Sequence, residues 1–204
     1  MPCRSTPEML ACEQCSLHLT RGRVVPGHGN PDADIAFVAE APGVEEDRVG
    51  EPLVGPAGKR FNRQLVVAGL TRDMVWLDNT VHCHPPENQL RAYPDAQLRC
   101  PPLWLLPVLQ QVKPRVIVAL GRTAGALWMP GLDAHAIAEL ARHTGEYLVV
   151  GALHPSYARW LRGDWNEADD SIVLSIQRAV ELLATWRLEP EFATGRDKAA
   201  LPAQ

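Results

Sequence analysis

The 204-residue sequence contains no apolar run long enough to span a membrane and no secretory signal pattern at its start. It also has no excess of basic residues, because its formal net charge at pH 7 is -4. Any nucleic acid would therefore have to bind to a local basic patch. We expect a cytoplasmic, monomeric protein with one domain over residues 1–188. The tail over residues 189–204 lacks apolar periodicity, and we expect it to be disordered.

Cysteine is scarce, and its count is odd. The five cysteines are Cys3, Cys12, Cys15, Cys83 and Cys100. An odd number without a signal peptide argues against a disulfide framework. Cys12 and Cys15 form a C-x-x-C pair, but the second such pair of a typical zinc ribbon is missing. Four thiolates could hold either a zinc ion or a [4Fe–4S] cluster, and scattered buried cysteines are the alternative.

Four short apolar stretches predict strands, at residues 35–39, 75–77, 115–120 and 147–153. Helical patterns lie between or after them, at residues 57–68, 95–112, 121–128 and 170–186, and three prolines should kink or break the second helix. Strands that alternate with helices predict a parallel sheet between helical layers.

Polar residues follow the predicted strands at the points where open parallel sheets bind ligands. Glu40 follows the first strand, Asn79 the second and His154 the fourth, while Gly121-Arg122-Thr123 follows the third. Each signal alone is weak, since a strand-end asparagine is more often a turn residue. Together, an amide that complements a pyrimidine edge and an imidazole that can donate to an oxygen gaining negative charge indicate cleavage of an N-glycosidic bond.

Several ordered motifs carry a family resemblance. They are C-x-x-C at 12–15, E-A-P-G at 40–43, V-G-P-A-G at 54–58, D-N-T-V-H-C-H-P-P-E-N at 78–88, Cys100, and H-P-S at 154–156. The chain resembles the family 4 uracil-DNA glycosylases, the iron–sulfur branch of their superfamily. The resemblance implies a three-layer α/β/α sandwich with a central four-stranded parallel sheet. It also implies a [4Fe–4S] cluster held by Cys12, Cys15, Cys83 and Cys100, whereas Cys3 has no counterpart.

The resemblance also implies roles in a pocket for a flipped uracil. Asn79 would bind the edge of the base, and His154 would stabilise the anion that develops on it. Glu40 and Ala41 would form the pocket floor, with Glu40 a candidate for positioning water. Glu46 and Asn88 would complete the pocket.

Two features depart from the family pattern. Leu53 occupies the position where the family has a phenylalanine that stacks on the base. An aliphatic side chain forfeits aromatic stacking, which is worth roughly 1–3 kcal/mol per base. His82 and His84 flank Cys83 where basic residues are common, and we interpret them as ordinary surface histidines.

DNA would contact basic and aromatic residues near the strand ends. The candidates are Lys59, Arg60 and Arg63, and, after H-P-S, Tyr157, Arg159, Trp160 and Arg162. The expected activity is monofunctional excision of uracil from DNA, which leaves an abasic site. The alternatives are a glycosylase with a shifted base preference and a catalytically weak iron–sulfur DNA-binding module.

Overall fold

The computed structural model describes residues 5–138, 140–144, 146–157 and 165–186. The predictions for Cys3, Arg159, Trp160 and Arg162, and for the tail over residues 189–204, fall outside these residues. None of the described helices is both long and apolar enough to cross a membrane.

One sheet of six strands forms the centre of the fold. The strands are β1 His28–Gly29, β2 Ile35–Ala39, β3 Trp76–Asn79, β4 Val116–Leu120, β5 Ala141–His143 and β6 Leu148–Ala152. Their order is β1-β3-β2-β4-β6-β5, and the four inner strands are parallel. A four-stranded parallel sheet was therefore incomplete as a prediction, because β1 and β5 add an antiparallel strand at each edge.

Eight α-helices surround the sheet in the described part of the chain. They are α1 Pro7–Leu10, α2 Val44–Val49, α3 Pro56–Val67, α4 Pro94–Cys100, α5 Leu106–Val112, α6 Gly121–Gly125, α7 Ala134–Ala138 and α8 Trp165–Trp186. A π-helical turn, Pro101–Leu105, joins α4 to α5. The prolines of this region therefore change the helical pitch without ending the helical run, since a wider turn leaves room for the ring and for the missing N–H.

Two apolar clusters cover the two faces of the sheet, because successive strand side chains point to opposite sides. On one face Phe37 of β2 packs with Phe61 of α3 and Ile172 of α8. On the other face Val38 of β2 packs with Leu109 of α5. All five side chains are buried, which confirms the predicted three-layer sandwich.

A third cluster lies beside the sheet and contains the N-terminal segment. Met9 and Leu17 pack there with Val81 and with the cysteines Cys83 and Cys100. An isolated backbone bridge between Val24 and Cys83 attaches the segment to the chain that follows β3. The cysteine-containing segments thus form a flank of the sheet.

Candidate active site and cysteine cavity

The carboxyl ends of the parallel strands bring the predicted site residues to one edge of the sheet. β2 runs into Glu40, β3 ends at Asn79, and His154 follows β6 by two residues. The register pairs Ala39 with Asn79, so Glu40 and Asn79 leave neighbouring strands at the same level. This edge is where open parallel sheets bind their ligands.

Hydrogen bonds fix both the backbone and the side chain of Glu40. Its carbonyl oxygen accepts hydrogen bonds from Thr80 Oγ1 at 2.5 Å and from Val81 N at 3.1 Å. Its Oε2 accepts a hydrogen bond from Thr123 Oγ1 at 2.6 Å. Thr123 belongs to α6, directly after β4, and we predicted no role for it from the sequence. Only its place after a predicted strand, in Gly121-Arg122-Thr123, could have indicated that it belongs to the site.

A glycine allows α6 to approach His154. Gly121 has φ +85°, and a Cβ at this residue would lie 2.9 Å from His154 Cβ. A side chain here would both strain the backbone and push His154 away.

His154 is held as a neutral hydrogen-bond donor. Ser156 N donates to His154 Nδ1 at 3.1 Å, and Ser156 Oγ lies 2.7 Å from the same atom. Nδ1 therefore accepts, which leaves the proton of the neutral ring on Nε2. Burial lowers the pKa of His154, and the opposing charges of Glu40 and Glu46 do not fully offset it.

Asn79 presents an unpaired amide. Its side chain is 2% exposed, and its Nδ2 has no hydrogen-bond partner among the described residues. A buried amide without a partner costs about 1–3 kcal/mol, so such a group indicates a site for a ligand acceptor. The backbone of Asn79 is fixed, since its N–H donates to Asp78 Oδ1 at 2.8 Å.

The Glu46 carboxylate accepts hydrogen bonds from three backbone amides of the candidate site. Its Oε1 accepts from Val54 N at 2.9 Å and from Gly55 N at 2.7 Å, and its Oε2 accepts from Gly43 N at 3.1 Å. These bonds tie the loop that carries Leu53 to the start of α2. The carboxylate thus fixes the backbone of this loop through hydrogen bonds.

Leu53 has an unusual backbone conformation. Its φ is +54°, in the region that favours glycine, and its side chain is 5% exposed. Arg72 fixes this loop, because its Nη1 donates to Leu53 O and its Nη2 donates to Pro52 O, both at 2.8 Å. Sequence reasoning missed Arg72, which lies 19 residues after Leu53 and carries no motif.

The other two predicted pocket residues, Ala41 and Asn88, differ in burial. Ala41 is half-buried and packs against the third apolar cluster, which also contains cysteines. Asn88 is exposed, and its Oδ1 lies 3.8 Å from the place that a Cβ of Gly43 would occupy.

Four free cysteines line one cavity. Cys12, Cys15, Cys83 and Cys100 face the same small space, which is also lined by apolar residues that include Met9, Val24, Leu103 and Trp104. Desolvation raises the pKa of Cys83 to about 12 and raises that of Cys15 as well. Burial therefore favours the protonated form of both thiols.

Three of the four sulfur atoms have a hydrogen-bonding neighbour. Trp104 Nε1 donates to Cys12 Sγ at 3.3 Å, and Arg21 Nη1 donates to Cys83 Sγ at 3.7 Å. Across the described ranges, no group of three or more His, Cys, Asp or Glu side chains is arranged to hold a metal ion.

His82 is the third neighbour, and the interpretation of it as a surface histidine was wrong. Its side chain is 1% exposed, its Nδ1 lies 3.3 Å from Cys100 Sγ, and its Nε2 donates to Asp78 Oδ1 at 2.8 Å. Burial alone would lower the pKa of His82, but Asp78 and Cys100 outweigh it and raise the pKa to about 10. The contact with Asp78 explains how a polar ring can be buried here.

The candidate DNA-binding side chains differ in their exposure and in the contacts that they already make within the protein. Lys59 and Arg63 are exposed on α3. Arg60 pairs with Asp169 of α8 at 2.7 Å, so it links two helices of the same layer. Tyr157 lies beyond His154, and its hydroxyl is 2.8 Å from His135 Nε2.

Comparison with known proteins assigns the family. Residues 26–174 match the family model described as the uracil DNA glycosylase superfamily. A type-4 uracil-DNA glycosylase of Thermotoga maritima is 38% identical over 172 residues, which cover 82% of this chain and 87% of that one. The chain therefore belongs to the uracil DNA glycosylase superfamily and, within it, to the type-4 family.

Two further relatives align over shorter spans. A type-4 uracil-DNA glycosylase of Archaeoglobus fulgidus is 44% identical over 57% of this chain and 58% of its own length. A type-5 uracil-DNA glycosylase of Thermus thermophilus is 34% identical over 65% of this chain and 66% of its own length. Both alignments cover less than two thirds of these relatives.

Proposed function

We propose that this protein hydrolyses the N-glycosidic bond of uracil in DNA and leaves an abasic site. The observation that carries the proposal is the unpaired amide of Asn79 at the same sheet edge as the neutral imidazole of His154. The names of the relatives support uracil as the base over a shifted base preference or a DNA-binding module without catalysis.

Asn79 would bind the edge of a uracil turned out of the duplex. Its Nδ2 supplies a donor for a carbonyl oxygen of the base, and its Oδ1 supplies an acceptor for a ring N–H. Because the strand end and Asp78 fix its backbone, the amide is oriented before the base arrives. A cytosine presents the opposite donor and acceptor pattern at this edge and would leave both amide groups unpaired.

His154 would stabilise the leaving base. As the bond between the sugar C1′ and the base nitrogen breaks, its electron pair passes to the base, and negative charge spreads to the carbonyl oxygens. A neutral imidazole with its proton on Nε2 donates to such an oxygen and keeps its proton. One positioned donor of this kind is worth about 2.7–4 kcal/mol in the transition state.

Glu40 would position the attacking water. Thr123 orients the carboxylate by donating a hydrogen bond to its Oε2. The water oxygen bonds to C1′ while Glu40 accepts a hydrogen bond from the water and then its proton. The neighbouring Ala41, which is half-buried, would form the pocket floor beside this water.

Leu53 would cover one face of the flipped base, and Asn88 would close the pocket beside α2. The bonds from Glu46 and Arg72 set the position of the Leu53 loop before substrate binds. Lys59 and Arg63 would contact DNA phosphates next to this loop, and Tyr157 would approach the duplex from beyond β6. The DNA contacts of Arg60, Arg159 and Arg162 remain predictions.

The four cysteines fit a [4Fe–4S] cluster by their chemistry. They are free, they line one largely apolar cavity, and nitrogen atoms of Trp104, Arg21 and His82 lie beside three of the sulfurs. Such a cluster binds each thiolate at a separate iron, so the sulfurs need not converge on one ion. When bound, it supplies a covalent tie between the N-terminal segment, the segment after β3 and α4. Cys12, Cys15, Cys83 and Cys100 would hold it.

Iron analysis tests the cluster. Anaerobically purified protein should be brown and should contain about four irons per chain, which is the content of one such cluster. Colourless protein with one zinc per chain would contradict the cluster and leave the glycosylase proposal standing.

Excision assays test the function. Single-turnover reactions would use oligonucleotides with uracil opposite guanine, uracil opposite adenine, single-stranded uracil, or thymine. Strand breaks should appear with the uracil substrates only after alkali treatment, because a monofunctional enzyme leaves an intact abasic strand. Breaks without alkali would contradict the monofunctional mechanism, and absence of excision would contradict the function. The monomeric state and the cytoplasmic location remain predictions.

A further inference from the structure

A buried series of hydrogen bonds joins the cysteine cavity to Asn79. Cys100 Sγ lies 3.3 Å from His82 Nδ1, and His82 Nε2 donates to Asp78 Oδ1 at 2.8 Å. The same carboxylate oxygen accepts the backbone N–H of Asn79 at 2.8 Å. Asp78 is 0% exposed, His82 1% and Cys100 7%, so water has little access to the series.

Asp78 has little freedom to choose other partners. Its second oxygen, Oδ2, accepts from Trp76 Nε1 at 3.1 Å. Gly27 passes directly over the carboxylate, since a Cβ at Gly27 would lie 2.4 Å from Oδ2. A displacement of His82 therefore changes the surroundings of Asp78 Oδ1, the oxygen that also accepts the hydrogen bond from Asn79 N.

His82 is in turn fixed at both ends of its ring and at its backbone. Val25 N donates to His82 O at 2.8 Å, which anchors the residue to the N-terminal segment. The ring touches Cys100 on one side and Asp78 on the other. The orientation of the ring therefore depends on where the Cys100 sulfur is held.

We infer that His82 and Asp78 are positioning residues that link the cysteine cavity to the binding of uracil by Asn79. With Cys100 bound to iron, His82 is held against Asp78, and Asp78 holds the end of β3. When Cys100 is released from iron, the His82 ring loses one of its two fixed side-chain partners. The hydrogen bond from Asn79 N to Asp78 is then less firmly held. This inference rests on the proposed cluster and goes beyond it, because it gives the cavity a role in base recognition.

Hydrogen exchange at the Asn79 amide tests the link without an activity assay. In iron-loaded protein this amide should be protected, and chelator treatment should accelerate its exchange by about 10-fold, the change expected if a weakened hydrogen bond to Asp78 lowers the free energy of local opening by about 1.4 kcal/mol. The Val118 amide in β4 serves as an internal reference and should change much less. Equal exchange at Asn79 in loaded and chelator-treated protein would overturn the link.

Substitutions at His82 locate the effect. In iron-loaded His82→Phe, which keeps a planar ring and removes both polar contacts, the Asn79 amide should exchange as fast as in chelator-treated protein. His82→Gln, whose amide again offers two polar atoms in one plane, should restore part of the protection. His84→Phe is the matched control on the other side of Cys83 and should exchange as the unsubstituted protein does. An Asn79 amide that stays protected in His82→Phe would overturn the link.

A binding and rate comparison separates positioning from general damage. Loaded His82→Phe should excise uracil about 10-fold more slowly in single turnover, while its affinity for abasic-site DNA stays within about twofold. Equal losses of both would overturn a specific role. If His82→Phe does not fold, Asp78→Asn, which keeps the shape but removes one acceptor oxygen, takes its place with the same expectations. Protein that binds no iron would contradict the proposed cluster itself. Iron-loaded protein in which His82→Phe leaves the exchange of the Asn79 amide unchanged would contradict only the link.

Discussion

Two histidines with restricted access to solvent, His154 beyond β6 and His82 beyond β3, have opposite pKa shifts. Burial lowers the pKa of His154, and Glu40 and Glu46 offset only part of that effect. His82 is more deeply buried, yet its pKa rises to about 10 because Asp78, in hydrogen-bond contact at 2.8 Å, and Cys100 together outweigh desolvation. Partners in direct contact outweigh desolvation at His82, whereas the carboxylates near His154, which have no direct hydrogen bond to it, do not.

The comparison shows how the same side chain serves two purposes within one fold. His82 is fully paired, which suits a residue that stabilises the scaffold. Among the described residues, hydrogen bonds to His154 involve its Nδ1, which leaves Nε2 as the atom to face a ligand. A histidine whose burial is not compensated by a partner is a candidate for chemistry, and His154 meets that criterion.

Removing the partner of His82 should have the largest effect. Asp78→Ala leaves a polar ring and the Trp76 N–H buried without an acceptor, and we expect the free energy of unfolding to fall by about 3–5 kcal/mol. Urea denaturation of matched iron-loaded samples would measure this. The exposed Asp73→Ala is the control and should change stability by about 0.5 kcal/mol at most. An unchanged midpoint for Asp78→Ala would contradict the importance of the pair.

Removing His154 should affect rate and leave stability nearly unchanged. His154→Ala loses one transition-state donor, so single-turnover excision of uracil should fall by about 10²–10³-fold. Its unfolding midpoint should stay close to that of the unsubstituted protein, since the ring has few polar contacts to lose. Full excision by His154→Ala would refute the proposed mechanism.

Acidification should inactivate the enzyme through His154. Its folded pKa lies below the ordinary 6.5, so the neutral donor form persists somewhat below pH 6.5. We expect kcat/KM to be flat above that pH and to fall about 10-fold per unit below the folded pKa. Between the two pKa values the unfolded chain binds more protons, so the stability contributed by neutral His154 is lost as the pH falls through this window.

The pH profile of His154→Gln shows whether His154 is the group that controls the acid limb of kcat/KM. His154→Gln cannot titrate, so its lower activity should have no acid limb in the same range. If the acid limb persists unchanged in His154→Gln, another group controls it.

Leu53→Phe should have the smallest effect. A phenyl ring covers more of a pyrimidine face, but leucine already supplies part of the contact, so we expect excision of uracil to rise by at most about fivefold, roughly 1 kcal/mol. Single-turnover rates on uracil and on five-substituted pyrimidines, for both proteins, measure it. Faster cleavage of a substituted base by the unsubstituted protein would contradict uracil as the substrate and leave the glycosylase assignment standing.

The central strands could be predicted because the sheet is covered on both faces. β2 coincides with its predicted range, and β4 and β6 lie within theirs, because buried parallel strands are nearly continuous apolar runs. The edge strands β1 and β5 were missed, since two and three residues are too few to show an alternating pattern.

Without the family resemblance, residues of the candidate site could be predicted only where they stand at or just after the end of a strand. Glu40, Asn79 and His154 were located in this way, whereas Thr123 and Arg72 act through contacts between distant segments. His82 was misjudged because its burial depends on Asp78 and Cys100, and the second of these is 18 residues away. Such contacts follow from the tertiary fold and leave no local pattern.

The short antiparallel edges have a consequence for self-association. Without β1 and β5, the parallel strands β3 and β6 would expose rows of unpaired backbone groups on which another chain could assemble. Edges of two and three residues offer an incoming strand few hydrogen bonds. Gly29 has φ +127°, and a Cβ there would lie 2.2 Å from Val75 O, so a side chain would separate β1 from β3. Substitution of Gly29 should therefore promote aggregation of concentrated protein before it affects base excision.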